Sequence, residues 1–295
     1  MTLKTDYSSH KLVILGGGPG GYEAALVAAS HGADVTIIED KGMGGSAVLT
    51  DVVPSKTLIT SADARNRFGK AQELAISVGE DDNPPQISVD LAKVNQRLID
   101  LALQQSHDIK RTLERNGVKV IAGRGMLIDR NTVQVTDADG LTYELNAEFI
   151  LLAVGTHPRE LPTAQPDGQR ILNWTQLYDL KELPTDLIVV GSGVTGAEFA
   201  SAYDGLGSNV TLISSRDQVL PGEDGDAATV LENVFERKGV RVLPRSRAEG
   251  AEYNEAGDGV VVTLSDGRKV AGSHVLIAVG SIPNTENLGL DAVGV

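Results

Sequence analysis

Two stretches of this chain carry the glycine spacing that a pyrophosphate demands. Residues 12–39 read LVILGGGPGGYEAALVAASHGADVTIIE, and residues 187–214 read LIVVGSGVTGAEFASAYDGLGSNVTLIS. Each has a short apolar run, then G-x-G-x-x-G, then an alanine four residues on and a glycine seven residues after that. Gly16, Gly18, Gly21, Ala25 and Gly32 therefore match Gly191, Gly193, Gly196, Ala200 and Gly207. The first glycine of such a motif turns strand into helix, the second lets backbone approach a phosphate, and the third lets helix pack on strand. The phosphates then meet the positive end of the helix. A single copy of the motif is weak evidence, but two copies with matching flanks imply two dinucleotides.

The residue at the end of the second strand of each copy reads the adenosine ribose. In the first copy it is Glu39, a carboxylate suited to accept from two ribose hydroxyls, which fits FAD. The same offset in the second copy gives Ser214, followed by Ser215 and Arg216. Two hydroxyls and a guanidinium accept a 2′-phosphate that a carboxylate would repel, so this copy suits NADPH without excluding NADH.

These sites need elements to hold them, and the pattern of the chain supplies them. Pro54 is placed to open a helix at its first position. Leu91, Val94, Leu98, Leu101, Ile109 and Leu113 share one face of a long helix that Asn116-Gly117 ends. Short β runs follow: VKVIAG, TVQV with a turn at Asp139-Gly140, and YELNAEFILLAVG. The second half repeats this with VRVLP, GVVVTLSDGRKVAG turning at Asp266-Gly267, and HVLIAVG. The expected fold is α/β, with two Rossmann-type three-layer (ββα) dinucleotide-binding units. The division expected is residues 1–155 for FAD, 156–277 for NAD(P) inserted into the first unit, and 278–295 as a return segment.

Composition sets limits. With 40 acidic against 26 basic residues the net charge is −14, which opposes attraction to nucleic acid or anionic membrane surfaces. No apolar run approaches the ~20 residues of a spanning helix and no signal peptide is visible, so the expected location is the cytoplasm. The chain has no cysteine, which removes disulfides, thiolate metal sites and thiol redox steps. His10, His31, His107, His157 and His274 lack ligand spacing and are expected on the surface or as caps, with no metal site. The acidic run Glu80-Asp81-Asp82 reads as a solvated turn.

With these motifs the chain resembles the pyridine nucleotide-disulfide oxidoreductases, which include lipoamide dehydrogenase and glutathione reductase. The stretch GMGGSAVLTDVVPSKTLI (42–59) carries the resemblance: Gly44, Gly45, Pro54, Ser55 and Lys56 match, but the positions of the two redox cysteines hold Ala47 and Val52. That departure looks like the cysteine-less NAD(P)H:quinone reductases of actinobacteria related to lipoamide dehydrogenase, with ILNWTQLYDL (171–180) and GSGVTGAEF (191–199) also similar. The resemblance implies hydride transfer from NADPH or NADH to FAD, then electron transfer to a quinone that diffuses in.

It also implies that Lys56 stands beside the flavin N5 and pairs with Glu198, the two catalytic residues. Val194 takes the place of a flavin-covering tyrosine. Gly125, which follows the VKVIAG run, is implied at the adenine, and Gly155 at a chain crossing near the cofactor. The expected cofactor-binding set in the first unit is Gly16, Gly18, Pro19, Gly20, Gly21, Glu39, Asp40, Gly44, Gly45, Ser46, Lys56, Gly125, Ala153 and Gly155. In the second unit it is Gly191, Gly193, Val194, Thr195, Gly196, Glu198, Ser214, Ser215, Arg216, Ala248 and Gly280.

Family chains continue past the point where this one stops, so the interface domain that makes the homodimer is expected to lie outside it. Two other readings stay open. Dihydrolipoamide dehydrogenase is opposed by Ala47 and Val52, and a non-catalytic dinucleotide-binding or redox-sensing flavoprotein would use the same two cradles.

Overall fold

The computed structural model describes residues 10–76 and 87–295. The run Glu80-Asp81-Asp82 lies outside the described residues. The chain begins with β1 (Lys11–Leu15), α1 (Pro19–Ser30), β2 (Asp34–Glu39) and the short α2 (Gly45–Leu49). It continues through α3 (Val52–Gly69), α4 (Leu91–Arg115), β3 (Lys119–Asp129), β4 (Thr132–Asp137), β5 (Thr142–Asn146), β6 (Phe149–Leu152) and β7 (Thr156–Pro158). Next come β8 (Ile171–Asn173), β9 (Asp186–Val190), α5 (Val194–Leu206), β10 (Asn209–Ile213), α6 (Gly225–Lys238) and β11 (Arg241–Leu243). Last are β12 (Ala248–Tyr253), β13 (Val260–Leu264), β14 (Lys269–Gly272), β15 (His274–Ile277), β16 (Ser281–Pro283) and α7 (Leu290–Val293).

Two compact units result: Met1–Val53 with Asp100–His157 and Ile282–Val295, and Pro54–Ile99 with Pro158–Ser281. The helical stretch after Pro54 thus groups with the second glycine motif.

In the first unit one sheet runs β5-β4-β3-β2-β1-β6. Strand β3 has two roles: Lys119–Ala122 pairs β2 in parallel, and Gly123–Asp129 pairs β4 antiparallel. Alternation along the strands then sorts the core into two faces. Val13, Leu15 and Ile38 pack with Leu127, Val133 and Val135 of the antiparallel part. Ile14, Val35 and Ile37 pack with Ala25 and Leu113 on the helical side. Apolar residues point both ways because both faces are covered, which is the three-layer arrangement expected.

The second unit has a five-stranded parallel sheet ordered β11-β10-β9-β15-β8 and a separate antiparallel sheet β12-β13-β14. Ile188, Val190 and Ile277 meet Val260, Val262 and Leu264 on one face, while Leu187, Val189 and Leu212 meet Phe199, Ala200 and Tyr203 on the other. Here Pro244 follows β11 directly and has no N–H to continue a ladder. The work done by β3 alone in the first unit is therefore split between β11 and β12.

Several local expectations need correction. Helix α3 starts at Val52, so Pro54 is its third residue rather than its first; the missing N–H still falls among the donors that a first turn leaves unpaired. On α4, Leu91, Leu98 and Leu113 are buried, but Leu101 is 39% exposed. At about 100° per residue Leu101 falls to the side of the buried stripe, where its neighbour Ala102 takes the inward place, and the stripe runs on to Leu113. Gly125 does not follow a strand but lies inside β3, opposite Val135. The run YELNAEFILLAVG breaks after Asn146: β5 stays beside β4, and β6 returns to pair β1 in parallel.

His274 is not a surface histidine. It lies half-buried in β15, with Nδ1 3.0 Å from Ser273 Oγ, and burial followed by the nearby Arg170 charge depresses its pKa to about 4. The unfolded chain therefore binds a proton at a pH where the native one does not. Stability from this site is complete above about pH 6.5 and is expected to fall as pH drops towards 4, then level off. Melting temperatures measured across that window should show less decline in His274→Gln than in the parent, and equal slopes would discount the site.

Candidate functional site

The first cradle forms where β1 turns into α1. Gly16 has φ +106°, and a Cβ there would lie 2.2 Å from the Ala153 carbonyl oxygen, so only glycine fits. A Cβ on Gly21 would lie 1.9 Å from the Gly16 carbonyl oxygen, which is how the third glycine seats α1 on its strand. Gly18 caps α1 with no side chain bonding to the helix end, and Pro19 and Gly20 follow, exposed. Gly44 and Gly45 have positive φ, and a Cβ on Gly45 would come within 2.8 Å of the Gly18 Cα, so the two glycine segments face each other closely. Ser46 is exposed beside them.

Glu39 is held by two backbone donors: Gly17 N–H to Oε2 and Lys41 N–H to Oε1, each at 2.7 Å. Each carboxylate oxygen keeps a lone pair for a further donor. The glycine loop therefore aims the acid before any ribose arrives. Asp40 instead accepts from Arg124 Nε at 2.6 Å. Gly125 is explained by packing, since a Cβ would stand 2.4 Å from Leu15 Cδ2. Gly155 has φ +65° with open space about it, and Asn284 fixes the segment: its N–H donates to the Gly155 carbonyl at 3.0 Å and its Nδ2 to the Val154 carbonyl at 2.9 Å. His157 Nδ1 lies 2.6 Å from Asn284 Oδ1. The open strand end, the uncapped helix start and the oriented acid fit a dinucleotide with an unmodified ribose, as FAD has.

The second cradle repeats the glycine geometry of the first. Gly191 has φ +110°, its Cβ would lie 2.1 Å from the Ala278 carbonyl oxygen, and a Cβ on Gly196 would lie 1.8 Å from the Gly191 carbonyl oxygen. Gly193 starts α5 with no side-chain cap and nothing within 4 Å of its Cβ direction. Val194, 61% exposed, follows with Thr195. Gly280, φ +108°, also faces open space, and Ala248 opens β12, half-buried.

The three residues named for the ribose side divide. Ser214 is fully buried: its hydroxyl lies 2.7 Å from Ser192 Oγ and accepts from the Arg216 N–H at 3.1 Å. It braces the loop from within, while Ser215 and Arg216 are exposed.

Lys56 and Glu198 meet as expected, Nζ donating to Oε1 in an ion pair. The Glu198 side chain is 14% exposed and that of Lys56 59% exposed. The pair joins α3 to α5, and residues the sequence reading did not single out set that contact. A Cβ on Gly205 would lie 2.9 Å from Ala62 Cβ, and Arg65 Nη1 donates to the Gly205 carbonyl at 3.2 Å, closing the C-terminal end of α5. Small residues about two turns from the ion pair let the helices approach. Among the described residues no group of acids and histidines could hold a metal, and no helix is long and apolar enough to cross a membrane.

Known proteins match over nearly the whole chain. An NAD(P)H dehydrogenase (quinone) of Mycobacterium tuberculosis is 51% identical over 294 residues, 97% of this chain and 58% of the relative. A dihydrolipoyl dehydrogenase of Zymomonas mobilis is 33% identical over 96% of this chain and 60% of the relative. The crystal structure of LpdA from Mycobacterium tuberculosis aligns with a TM-score of 0.90 at 50% identity, over 97% of this chain and 62% of that one. The HOCl-induced flavoprotein disulfide reductase RclA of Escherichia coli aligns with a TM-score of 0.80 at 25% identity. The chain thus spans about three fifths of the length of these relatives. With two cradles of matching glycine geometry and a family model matching residues 10–295, the chain belongs to the pyridine nucleotide-disulphide oxidoreductases, and it does so without a redox cysteine.

Proposed function

We propose that the protein is an FAD-dependent oxidoreductase that takes hydride from NAD(P)H and passes electrons to a quinone without a disulfide. The observation that carries this reading is the duplicated cradle in a chain with no cysteine: two dinucleotides can be held, yet the chain has no thiol to carry electrons onward. The mycobacterial NAD(P)H dehydrogenase (quinone) supports the choice of acceptor. The proposed division is FAD on residues 1–155, nicotinamide dinucleotide on 156–277, and a return segment to Val295. By the same family likeness the proposed working form is a homodimer, and the proposed location is the cytoplasm.

Bound FAD would supply a ring that accepts hydride and releases electrons singly or in pairs. The chain's own residues bind and orient. Glu39 selects the first dinucleotide through its ribose, Gly18 and Gly193 leave room for the pyrophosphates, and Ser215 with Arg216 favours NADPH in the second cradle. Lys56 holds positive charge for the ring, and Glu198 keeps that ammonium in place, as a cation near developing negative charge requires.

The test is steady-state kinetics of the FAD-loaded protein with NADPH and a soluble quinone. Because the oxidised nicotinamide must leave before the quinone reacts, double-reciprocal lines should be parallel. Intersecting lines would reject the two-step scheme. A protein that takes up FAD but is not bleached by NADPH without oxygen would instead favour the non-catalytic reading.

A further inference from the structure

Resting on the nicotinamide reading of the second cradle, we propose that Arg245 is a second guanidinium for the adenosine 2′-phosphate, making this site selective for NADPH over NADH. The loop after β10 and the turn after β11 are laced together. The Ser214 N–H donates to the Leu243 carbonyl at 2.9 Å, the Ser246 N–H to the Ser214 carbonyl at 2.7 Å, and the Arg245 N–H to the Arg216 carbonyl at 2.9 Å. Arg216 and Arg245 are thereby neighbours, at the carboxyl ends of parallel strands where ligands bind in such sheets.

Arg245 is held in an unexpected backbone state. Its φ is +50°, directly after Pro244, in a turn whose third position ordinarily takes glycine or asparagine. An arginine there costs conformational energy that glycine would not, and an outlier of this kind points towards a task for the side chain.

The electrostatics are also unusual. In a chain with 40 acidic residues, neither Arg216 nor Arg245 makes an ion pair among the described residues, although both are exposed and Asp217 is adjacent to Arg216. Two exposed guanidinium groups on hydrogen-bonded backbone positions, neither of them in an ion pair among the described residues, offer their positive charge to one anion between them. A phosphate monoester carries close to two negative charges at neutral pH and accepts bidentate arginine bonds, whereas the bare ribose of NADH offers no charge.

Calorimetric titration of the chain with 2′,5′-ADP and with 5′-ADP tests this without any turnover. The parent is expected to bind 2′,5′-ADP at least about tenfold more tightly, a difference of about 1.4 kcal/mol. Arg245→Gly suits the positive φ and keeps the turn, so it should fold. It should lose most of that preference while holding 5′-ADP within about twofold, as Arg216→Ala should. A preference unchanged in Arg245→Gly but lost in Arg216→Ala overturns the role of Arg245 alone. Equal affinity of the parent for both nucleotides overturns the phosphate site. Binding of neither nucleotide overturns the reading of the second cradle itself.

Discussion

Replacing Lys56 by methionine is expected to slow flavin reduction by NADPH by roughly 10²- to 10³-fold, the effect typical of removing one preorganised group that faces developing charge. Methionine keeps the length and apolar stem of the side chain, so α3 and α5 should stay together through Ala62, Gly205 and Arg65. The loss would then report charge rather than packing. Glu198 is the more buried partner, and without Lys56 its carboxylate has no cation in contact. The double variant Lys56→Met with Glu198→Gln should therefore be no slower than Lys56→Met and should melt at a higher temperature. Anaerobic stopped-flow absorbance of the FAD-loaded protein, with melting curves alongside, measures both. A folded, yellow Lys56→Met protein reduced within about threefold of the parent rate would remove Lys56 from the chemistry.

The second large effect separates binding from folding within one motif. At Gly196 a methyl group would stand 1.8 Å from the Gly191 carbonyl oxygen, so Gly196→Ala must push α5 off β9. Overpacking of this kind costs about 1–3 kcal/mol or more, and the melting temperature should fall. At Gly193 the backbone is extended, with φ −68°, and nothing lies within 4 Å of the added methyl. Gly193→Ala should therefore cost no more than about 1 kcal/mol, the difference between glycine and alanine at an N-cap. Its methyl would occupy the space through which the pyrophosphate reaches the helix end, and NADPH affinity should drop tenfold or more. Calorimetry and thermal melts on both variants decide the matter. If Gly193→Ala binds NADPH as the parent does, the second cradle does not hold a pyrophosphate there.

The family resemblance implied the pairing of Lys56 with Glu198, 142 positions apart, while the sequence alone determined the two cradles, the three-layer units and the lack of a thiol. These were legible because each rests on local chemistry. Glycine spacing reports where a Cβ has no room, alternating apolar residues report a sheet covered on both sides, and a matched motif carries its charged residues with it.

Only the tertiary structure decided the rest. Strand β12 reads Ala-Glu-Gly-Ala-Glu-Tyr, with little β-forming character of its own, and exists because β13 pairs with it. Helix α6 was likewise not singled out, although Asp224 caps it by accepting from two backbone N–H groups. Ser214 looked like a ligand until burial turned its hydroxyl towards Ser192. The tight contact of Ala62 with Gly205, and the joining of Arg245 to Arg216, link residues 143 and 29 positions apart, well beyond the reach of any local pattern. A sequence shows what each short segment prefers. Which distant side chains share a contact, and which polar groups are taken up inside the protein, follows only when the sheets have assembled and water has been excluded.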